Sequence, residues 1–203
     1  MINFLAPINN TTGYGITSTN IWKEIRKQTD VAVFPIGQIA LENQQLQEPL
    51  QSDIQRTLSG DTGKAPCIKI WHMNDLMTRV GSGKYGVFPF FEIDKLQPVE
   101  IAGLKHADVV FTSCEWSKKI IANHGIDESK IKICPLAVDH QIFNPSTQAP
   151  KSSGSKYIFI NIGKWEVRKG HDVLVHIFNE AFTEEDDVEL WMMTTNPFLS
   201  PED

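Results

Sequence analysis

The stretch NIGKWEVRKGHDVL, residues 161–174, joins a strand-like sequence to a helix-like sequence. The apolar run 157–162 that leads into it predicts a buried strand, and the residues after Gly170 predict a helix. Two glycines and three cations lie between the two elements: Gly163, Lys164, Arg168, Lys169 and Gly170. This order of strand, glycine-bearing loop and helix is typical of one unit of a parallel α/β sheet.

The rest of the chain repeats the alternation of strand-like and helix-like segments. Strands are predicted at 2–8, 31–36, 67–72, 85–92, 107–113, 130–136, 157–163 and 188–195, although Pro89 weakens the fourth. Helices are predicted at 18–27, 42–63, 116–124 and 169–182, with a Thr112–Glu115 capping box before the third and Gly125 as its C-cap. Strands that alternate with helices predict an α/β fold with a doubly wound, Rossmann-like parallel sheet.

A segment rich in Pro, Ser and Gly predicts a division of the chain into two domains. This linker is expected at 144–156, between a nearly complete domain at 1–143 and an incomplete one at 157–203. The second domain would hold a single βαβ unit, which has too little core to fold alone. We therefore expect it to dock on the first domain or to belong to something larger.

The overall charge excludes some classes of partner. With 25 acidic and 19 basic residues the net charge is −6, so nonspecific binding to nucleic acid or to anionic membranes is not expected. Three cysteines without a C-x-x-C pair indicate neither a disulfide framework nor a zinc site. The N-terminus lacks the basic region of a signal peptide and no apolar run is long enough to span a membrane, so a cytoplasmic location is predicted.

The cations of residues 164–169 are candidates for binding phosphate. Ligands of open parallel sheets lie at the carboxyl ends of the strands, where helix N-termini favour anions. Gly163 and Gly170 would allow tight backbone geometry, while Lys164, Arg168 and Lys169 would supply charge-assisted hydrogen bonds. The alternative is that the three cations are solvated surface residues near a loop.

The loop after the first strand has a similar arrangement. Gly13, Tyr14 and Gly15 are predicted to form a loop at the edge of a cleft. The sequence does not match a dinucleotide-binding motif, because Ser18 occupies the position of the third glycine. A plain turn is the alternative to a ligand contact.

Two further side chains are candidates for catalysis. His72 ends a predicted strand beside Asn74 and Asp75, and Glu92 ends another, where a carboxylate can act as a base or position a hydroxyl. The alternatives are a hydrogen-bonded structural histidine and a capping glutamate. The sequence contains no nucleophile–histidine–acid order, no P-loop and no metal-ligand spacing, so no metal is predicted.

Three segments, taken together and in order, resemble retaining glycosyltransferases of family 4. They are ADVVFTSCEWSKKIIANHGI (107–126), IKICPLAVDHQIFNP (131–145) and IFINIGKWEVRKGHDVLVHIFNEAF (158–182). The second resembles the interdomain P-x-G-V-D…F-x-P motif, with Ala137 in place of its glycine. The resemblance implies a GT-B architecture of two Rossmann-like domains, in which 1–143 is the acceptor-side domain and 157–203 begins the donor-side domain.

The resemblance also implies roles for the cations. The basic pair that the family places against the donor's pyrophosphate falls on Lys164 and Lys169, with Arg168 as an extra cation. The implied activity is metal-free transfer of a sugar, with retention, from a UDP- or GDP-sugar to a hydroxyl acceptor such as a glycan, without a separate cofactor. Two departures are expected to matter: no histidine occurs in the strand that ends at Glu92, and the family's later pair of glutamates has no counterpart.

Two other functions stay open at the level of sequence. One is a non-catalytic module that binds a glycan or a partner protein, and the other is an NAD(P)-dependent oxidoreductase. We also expect a short second domain to expose the apolar faces of strand 157–163 and helix 169–182, which favours self-association or a partner chain.

Overall fold

The chain divides into two compact units, Met1–Ala137 and Val138–Asp203. The computed structural model describes residues 1–144 and 156–196. The predicted linker, apart from its two end residues, therefore lies outside the described residues, as does Pro145 of the interdomain motif.

The first unit is a six-stranded parallel sheet surrounded by helices. Its strands are β1 (Ile2–Ala6), β2 (Val31–Pro35), β3 (Cys67–Lys69), β4 (Tyr85–Val87), β5 (Val109–Thr112) and β6 (Ile131–Ile133). Its helices are α1 (Gly13–Ile25), α2 (Gln47–Gln55), α3 (Pro98–His106) and α4 (Glu115–Asn123). The strand order is β2-β1-β3-β4-β5-β6 with every pair parallel, so the predicted α/β class and parallel sheet are confirmed.

Both faces of this sheet are covered, as a doubly wound fold requires. Because neighbouring strand residues point to opposite faces, Phe4 and Leu5 contribute to different clusters. On the face of Phe4, the strands pack against Trp22 of α1 and Leu50 of α2. On the other face, they pack against residues of α3 and α4, among them Leu104 and Ile121, which are completely buried. The strands are therefore apolar on both sides, which is the pattern of buried parallel strands.

Helix α1 begins five residues before its predicted start. Thr12 is the N-cap, and its side chain accepts a hydrogen bond from the Gly15 amide. The expected cleft loop of Gly13, Tyr14 and Gly15 is consequently the first turn of α1. The polar residues of this stretch indicated a loop, but they act here as caps that start the helix.

The helix predicted at 42–63 is shorter than expected. Only α2 is α-helical, with short 3-10 turns at Gln44–Leu46 before it and at Arg56–Leu58 and Gly60–Gly63 after it. Leu50 is buried, whereas Leu58 is 89% exposed, so the four-residue spacing of leucines does not continue to the end of the segment.

The sequence prediction missed α3 and misplaced the start of α4. Helix α3 begins at Pro98, and the Gln97 amide donates to the Glu100 carboxylate at 2.7 Å, so a proline in the first turn and a capping glutamate were the available signals. The predicted capping box of Thr112 is wrong, because Thr112 still belongs to β5 and Cys114 is the N-cap of α4. Gly125 has φ 79° after α4, as expected for a C-cap glycine.

The second unit contains β7 (Tyr157–Lys164), α5 (His171–Ala181) and β8 (Val188–Thr195), with β7 and β8 parallel. Helix α5 packs on one face of this pair, where the rings of Phe178 and Phe182 lie 5.7 and 5.4 Å from that of Phe159. The expected βαβ order is present. Among the described residues, no helix of either unit is both long enough and apolar enough to cross a membrane.

The apolar residues of the second unit are largely exposed. On the sheet face opposite Phe159, Ile160, Ile162, Trp191 and Met193 are each more than half exposed. We predict that the chain self-associates, because a contiguous apolar patch favours burial against another surface. Sedimentation analysis at increasing concentration will then show species larger than the monomer, and a monodisperse monomer throughout would contradict the prediction.

A buried carboxylate joins α1 to α2 in the first unit. Asp53 is completely buried, and its carboxylate accepts hydrogen bonds from Trp22 at 2.8 Å, Arg26 at 3.1 Å and Arg56 at 2.6 Å. The loss of this carboxylate leaves the buried indole N–H of Trp22 and the Arg26 guanidinium without it, whereas Arg56 keeps an ion pair with Asp30 at 3.1 Å.

We predict that Asp53→Ala lowers the free energy of unfolding of the first unit by about 2–4 kcal/mol. The loss is expected to be smaller than for a fully buried ion pair, because both arginine side chains are about one-third exposed. Urea unfolding followed by circular dichroism measures this change. Asp61→Ala, at an exposed aspartate, is the matched control with an expected change within about 0.5 kcal/mol. An equal effect of both variants would contradict the structural role of Asp53.

Candidate functional site

The first candidate site is the junction between β7 and α5 in the second unit. Lys164 ends β7 in register with Thr195, and the Trp165 amide donates to the Thr195 carbonyl at 3.0 Å. A 3-10 turn, Val167–Lys169, follows, and Gly170 has φ 69° immediately before α5. Such a positive φ strains any residue that has a Cβ. The backbone therefore requires a glycine at position 170, as expected from the tight geometry that the sequence predicted there.

A histidine that the sequence analysis did not select holds the inner side of this junction. His171 is 3% exposed, and its Nε2 lies 3.0 Å from the Lys164 carbonyl. Because a carbonyl can only accept, Nε2 carries the proton and donates. The imidazole also stacks on Trp165, with centroids 5.5 Å apart and an interplanar angle of 19°. His171 thereby fixes the loop that carries the cations.

Gly163 lies beside this imidazole, but the contact does not require a glycine. A Cβ at Gly163 would lie 3.7 Å from the His171 ring, which is an ordinary van der Waals contact. The tight geometry that the sequence predicted for both glycines is therefore present at Gly170 and absent at Gly163.

The cations of the junction surround one carboxylate. Lys164 forms an ion pair with Glu166, and Arg168 lies 3.4 Å from the other oxygen of the same carboxylate. The hydrogen bond from Lys164 lowers the pKa of Glu166, and the charges of Lys164, Arg168 and Lys169 lower it further. Three cations against one anion leave the loop with a net positive charge, so it can attract a second anionic group.

The four predicted phosphate-binding residues thus lie on one short loop. Gly163 and Lys164 end the strand, and Arg168 and Lys169 belong to the turn before α5. Glu166 is the residue that sequence reasoning missed. A lone acid within a basic segment was the available signal, since such an acid acts as an internal counter-ion.

The second candidate site lies in the first unit, where the strand order changes direction. From β1 the chain proceeds to β2 on one side and then to β3 on the other, so the crossovers diverge between β1 and β3. In open α/β sheets, ligands bind at the carboxyl ends of the strands at such a switch point. The residues after β1 and β3 include Tyr14 and His72, two of the sequence candidates.

Four aromatic rings meet at this edge of the sheet, and we call them the aromatic cluster: Tyr14, Trp71, His72 and Phe90. The Tyr14 ring lies 4.6 Å from His72, 5.6 Å from Trp71 and 5.3 Å from Phe90, and Trp71 lies 4.6 Å from His72. The Tyr14 hydroxyl donates to the Phe90 carbonyl at 3.0 Å. The structure therefore brings Tyr14 and His72 into contact, which the sequence did not predict.

The Tyr14 hydroxyl stays protonated, as its hydrogen bond to the Phe90 carbonyl requires. Burial raises the pKa of its hydroxyl, and the hydrogen bond with Phe90 offsets part of that effect. The phenol consequently stays protonated at neutral pH and continues to join α1 to the segment after β4.

The side chain of Asn9 forms hydrogen bonds with the residues just before α1. The Asn9 Oδ1 accepts hydrogen bonds from the backbone amides of Thr11 and Thr12, at 3.1 and 3.0 Å, and from both of their hydroxyls. These amides are thus already paired. Gly15 lies directly against Asn9, where a Cβ would come within 2.1 Å of Oδ1. The close approach of Asn9 therefore explains why the second glycine of the G-x-G pattern, Gly15, carries no side chain.

Glu92, the remaining sequence candidate, and Lys69, which the sequence analysis did not select, differ in their surroundings. Glu92 is exposed, lies five residues beyond β4 and does not belong to the aromatic cluster. Lys69, at the end of β3, is 1% exposed and pairs with Asp75 at 3.1 Å. That ion pair ties the turn after Trp71 and His72 to the sheet, and a buried lysine in the apolar segment 67–72 was its signal in the sequence.

No protein-family model matches the chain, and no curated protein matches it. Within residues 1–144 and 156–196, no group of three or more His, Cys, Asp or Glu side chains is placed to hold a metal ion.

We predict that Gly15→Ala destabilises the first unit by about 1–3 kcal/mol, because the new methyl group overlaps the Asn9 side chain that four hydrogen bonds hold in place. Gly13→Ala is the matched control, since a Cβ there meets nothing within 4 Å. Thermal unfolding of both variants measures the difference. Equal stability of the two would show that Asn9 moves aside freely.

Proposed function

We propose that the chain is part of a retaining glycosyltransferase of the GT-B type, with the first unit on the acceptor side and the second unit at the start of the donor side. The single observation that carries the proposal is the junction between β7 and α5. There, Lys164, Arg168 and Lys169 lie on one loop that ends a parallel strand and precedes a helix N-terminus.

The chemistry of this loop fits the leaving group of a sugar nucleotide. A diphosphate gains negative charge as the glycosidic bond breaks, and lysine and arginine stabilise that charge in the transition state. In the proposed complex, Lys164 and Lys169 contact the phosphates, while Arg168 contributes further positive charge. A lysine supplies charge without the bidentate geometry of arginine, so orientation of the donor depends on the surrounding backbone.

Glu166 has a defined part in the proposal. Without ligand it pairs with Lys164, and a bound phosphate competes with it for that ammonium. The exchange keeps the lysine paired in both states. His171 holds the Lys164 carbonyl at 3.0 Å, which keeps the loop in one conformation during this exchange.

The proposal also assigns the remaining steps. The leaving phosphate assists removal of the proton from the acceptor hydroxyl, and the sugar is transferred with retention and without a metal. UDP- or GDP-sugars are the proposed donors, and a glycan or another hydroxyl compound is the proposed acceptor. The paired amides near Asn9 do not favour an NAD(P)-dependent oxidoreductase, which would need that helix start for a pyrophosphate.

Calorimetric titration of the chain with UDP and GDP tests the proposal. We expect binding of at least one nucleotide, and we expect Lys164→Ala/Lys169→Ala to weaken it by roughly 100-fold or more, because two charge-assisted contacts of about 1.5–3 kcal/mol each are lost.

The control is Lys23→Ala/Lys27→Ala, which removes the same charge from Lys23 of α1 and from the exposed Lys27 that follows this helix, and it is expected to leave the affinity unchanged. Binding that survives in the Lys164/Lys169 variant would place the nucleotide elsewhere. No binding by the unaltered chain would argue against a donor site on these residues and favour a non-catalytic binding module.

A further inference from the structure

The aromatic cluster of the first unit has polar atoms without protein partners. Among the described residues, neither the indole Nε1 of Trp71 nor either ring nitrogen of His72 has a hydrogen bond within the chain. His72 is exposed and Trp71 is half-buried, so both side chains reach solvent. By contrast, the buried Trp22 donates its indole N–H to Asp53 at 2.8 Å. The cluster thus presents ring surface together with available donors and acceptors.

The position of the cluster is one where α/β folds bind ligands. Trp71 and His72 follow the carboxyl end of β3, and Tyr14 lies on the first turn of the helix after β1. Both segments flank the switch point of the strand order. Amphipathic rings at such an edge contribute contact area and hydrogen bonds to the same ligand.

The cluster is also held in place before any ligand binds. The Lys69–Asp75 ion pair, at 3.1 Å, anchors the turn that follows His72, and the Tyr14 hydroxyl is anchored on the Phe90 carbonyl. Rings held in this way lose little conformational freedom on binding, so more of the contact energy appears as affinity.

The charges around the cluster point to a neutral ligand. Lys69 is already paired with Asp75, and the Thr11 and Thr12 amides at the start of α1 are already paired with Asn9. Lys69 is also only 1% exposed, unlike Lys164, so its ammonium is not accessible to a phosphate or carboxylate. A pyranose ring has an apolar C–H face for an aromatic ring and a rim of hydroxyls for an indole N–H and an imidazole.

We propose that Trp71 and His72 bind a neutral pyranose ring, Trp71 through its ring face and indole N–H and His72 through hydrogen bonds to hydroxyls. The assignment of this ring to the acceptor rests on the proposed function, and it makes the acceptor a carbohydrate. The binding itself depends only on the geometry of the first unit.

Saturation-transfer NMR with the methyl glycosides of glucose, mannose, galactose and N-acetylglucosamine tests the site on the full chain. We expect transfer to at least one glycoside, and a roughly tenfold or greater loss of affinity in Trp71→Ala. Trp71→Phe keeps a ring and is expected to retain part of the affinity. His72→Ala, at an exposed position, removes the polar contact together with the ring that packs on Tyr14 and Trp71.

The control is Trp116→Ala, at a tryptophan of α4 that is 46% exposed and packs on Phe91 with centroids 5.7 Å apart. It is expected to bind the glycoside as the unaltered chain does, and circular dichroism verifies that each variant is folded. The absence of transfer to every glycoside would overturn the proposal, as would unchanged affinity in both Trp71→Ala and His72→Ala.

Titration of the same samples with UDP and GDP separates this inference from the proposed function. Nucleotide binding without glycoside binding would overturn the pyranose site and leave the donor site in place. Glycoside binding that depends on Trp71, without nucleotide binding, would support the pyranose site and remove its assignment to an acceptor.

Discussion

The pairing of β1 with a strand on each of its edges is the constraint on which the rest of the first unit depends. Phe4 lies in register with Val33 of β2 on one side and with Ile68 of β3 on the other. Because β1 thereby has a neighbour on each side, the crossovers to β2 and β3 diverge, and the loops after β1 and β3 meet at one edge. The aromatic cluster exists because of this divergence. Phe4, which is buried, and Leu5, which is partly buried, contribute to the hydrophobic clusters on opposite faces of the sheet.

The two candidate sites use different chemistry in similar places. The junction after β7 is cationic, and its excess charge is only partly balanced by Glu166. The edge after β3 is aromatic, and its buried lysine is paired with Asp75. One site thus suits an anionic group and the other a neutral one with an apolar face. The proposed glycosyltransferase would use both properties, since a nucleotide-sugar donor carries phosphates and a carbohydrate acceptor carries hydroxyls.

Local sequence signals predicted those features that depend on a few neighbouring residues. The glycine at 170 was identified because only glycine readily takes the positive φ that precedes α5. The cations at 164, 168 and 169 were identified because they lie close together in the chain. Helix α3 was missed although its capping glutamate was a local signal, and α1 was shortened because capping residues resemble loop residues in composition.

The sequence by itself determined the α/β class, the alternation of strands with helices and the cationic loop, because hydrophobic periodicity and short-range spacing encode them. Only the tertiary structure decided that Tyr14 meets His72, that Asn9 lies against Gly15 and that Asp53 joins Trp22 to two arginines. Apart from Asp53 and Arg56, which are three positions apart, these contacts join residues from 6 to 58 positions apart. Whether such residues meet depends on strand order and helix packing, which no local pattern specifies.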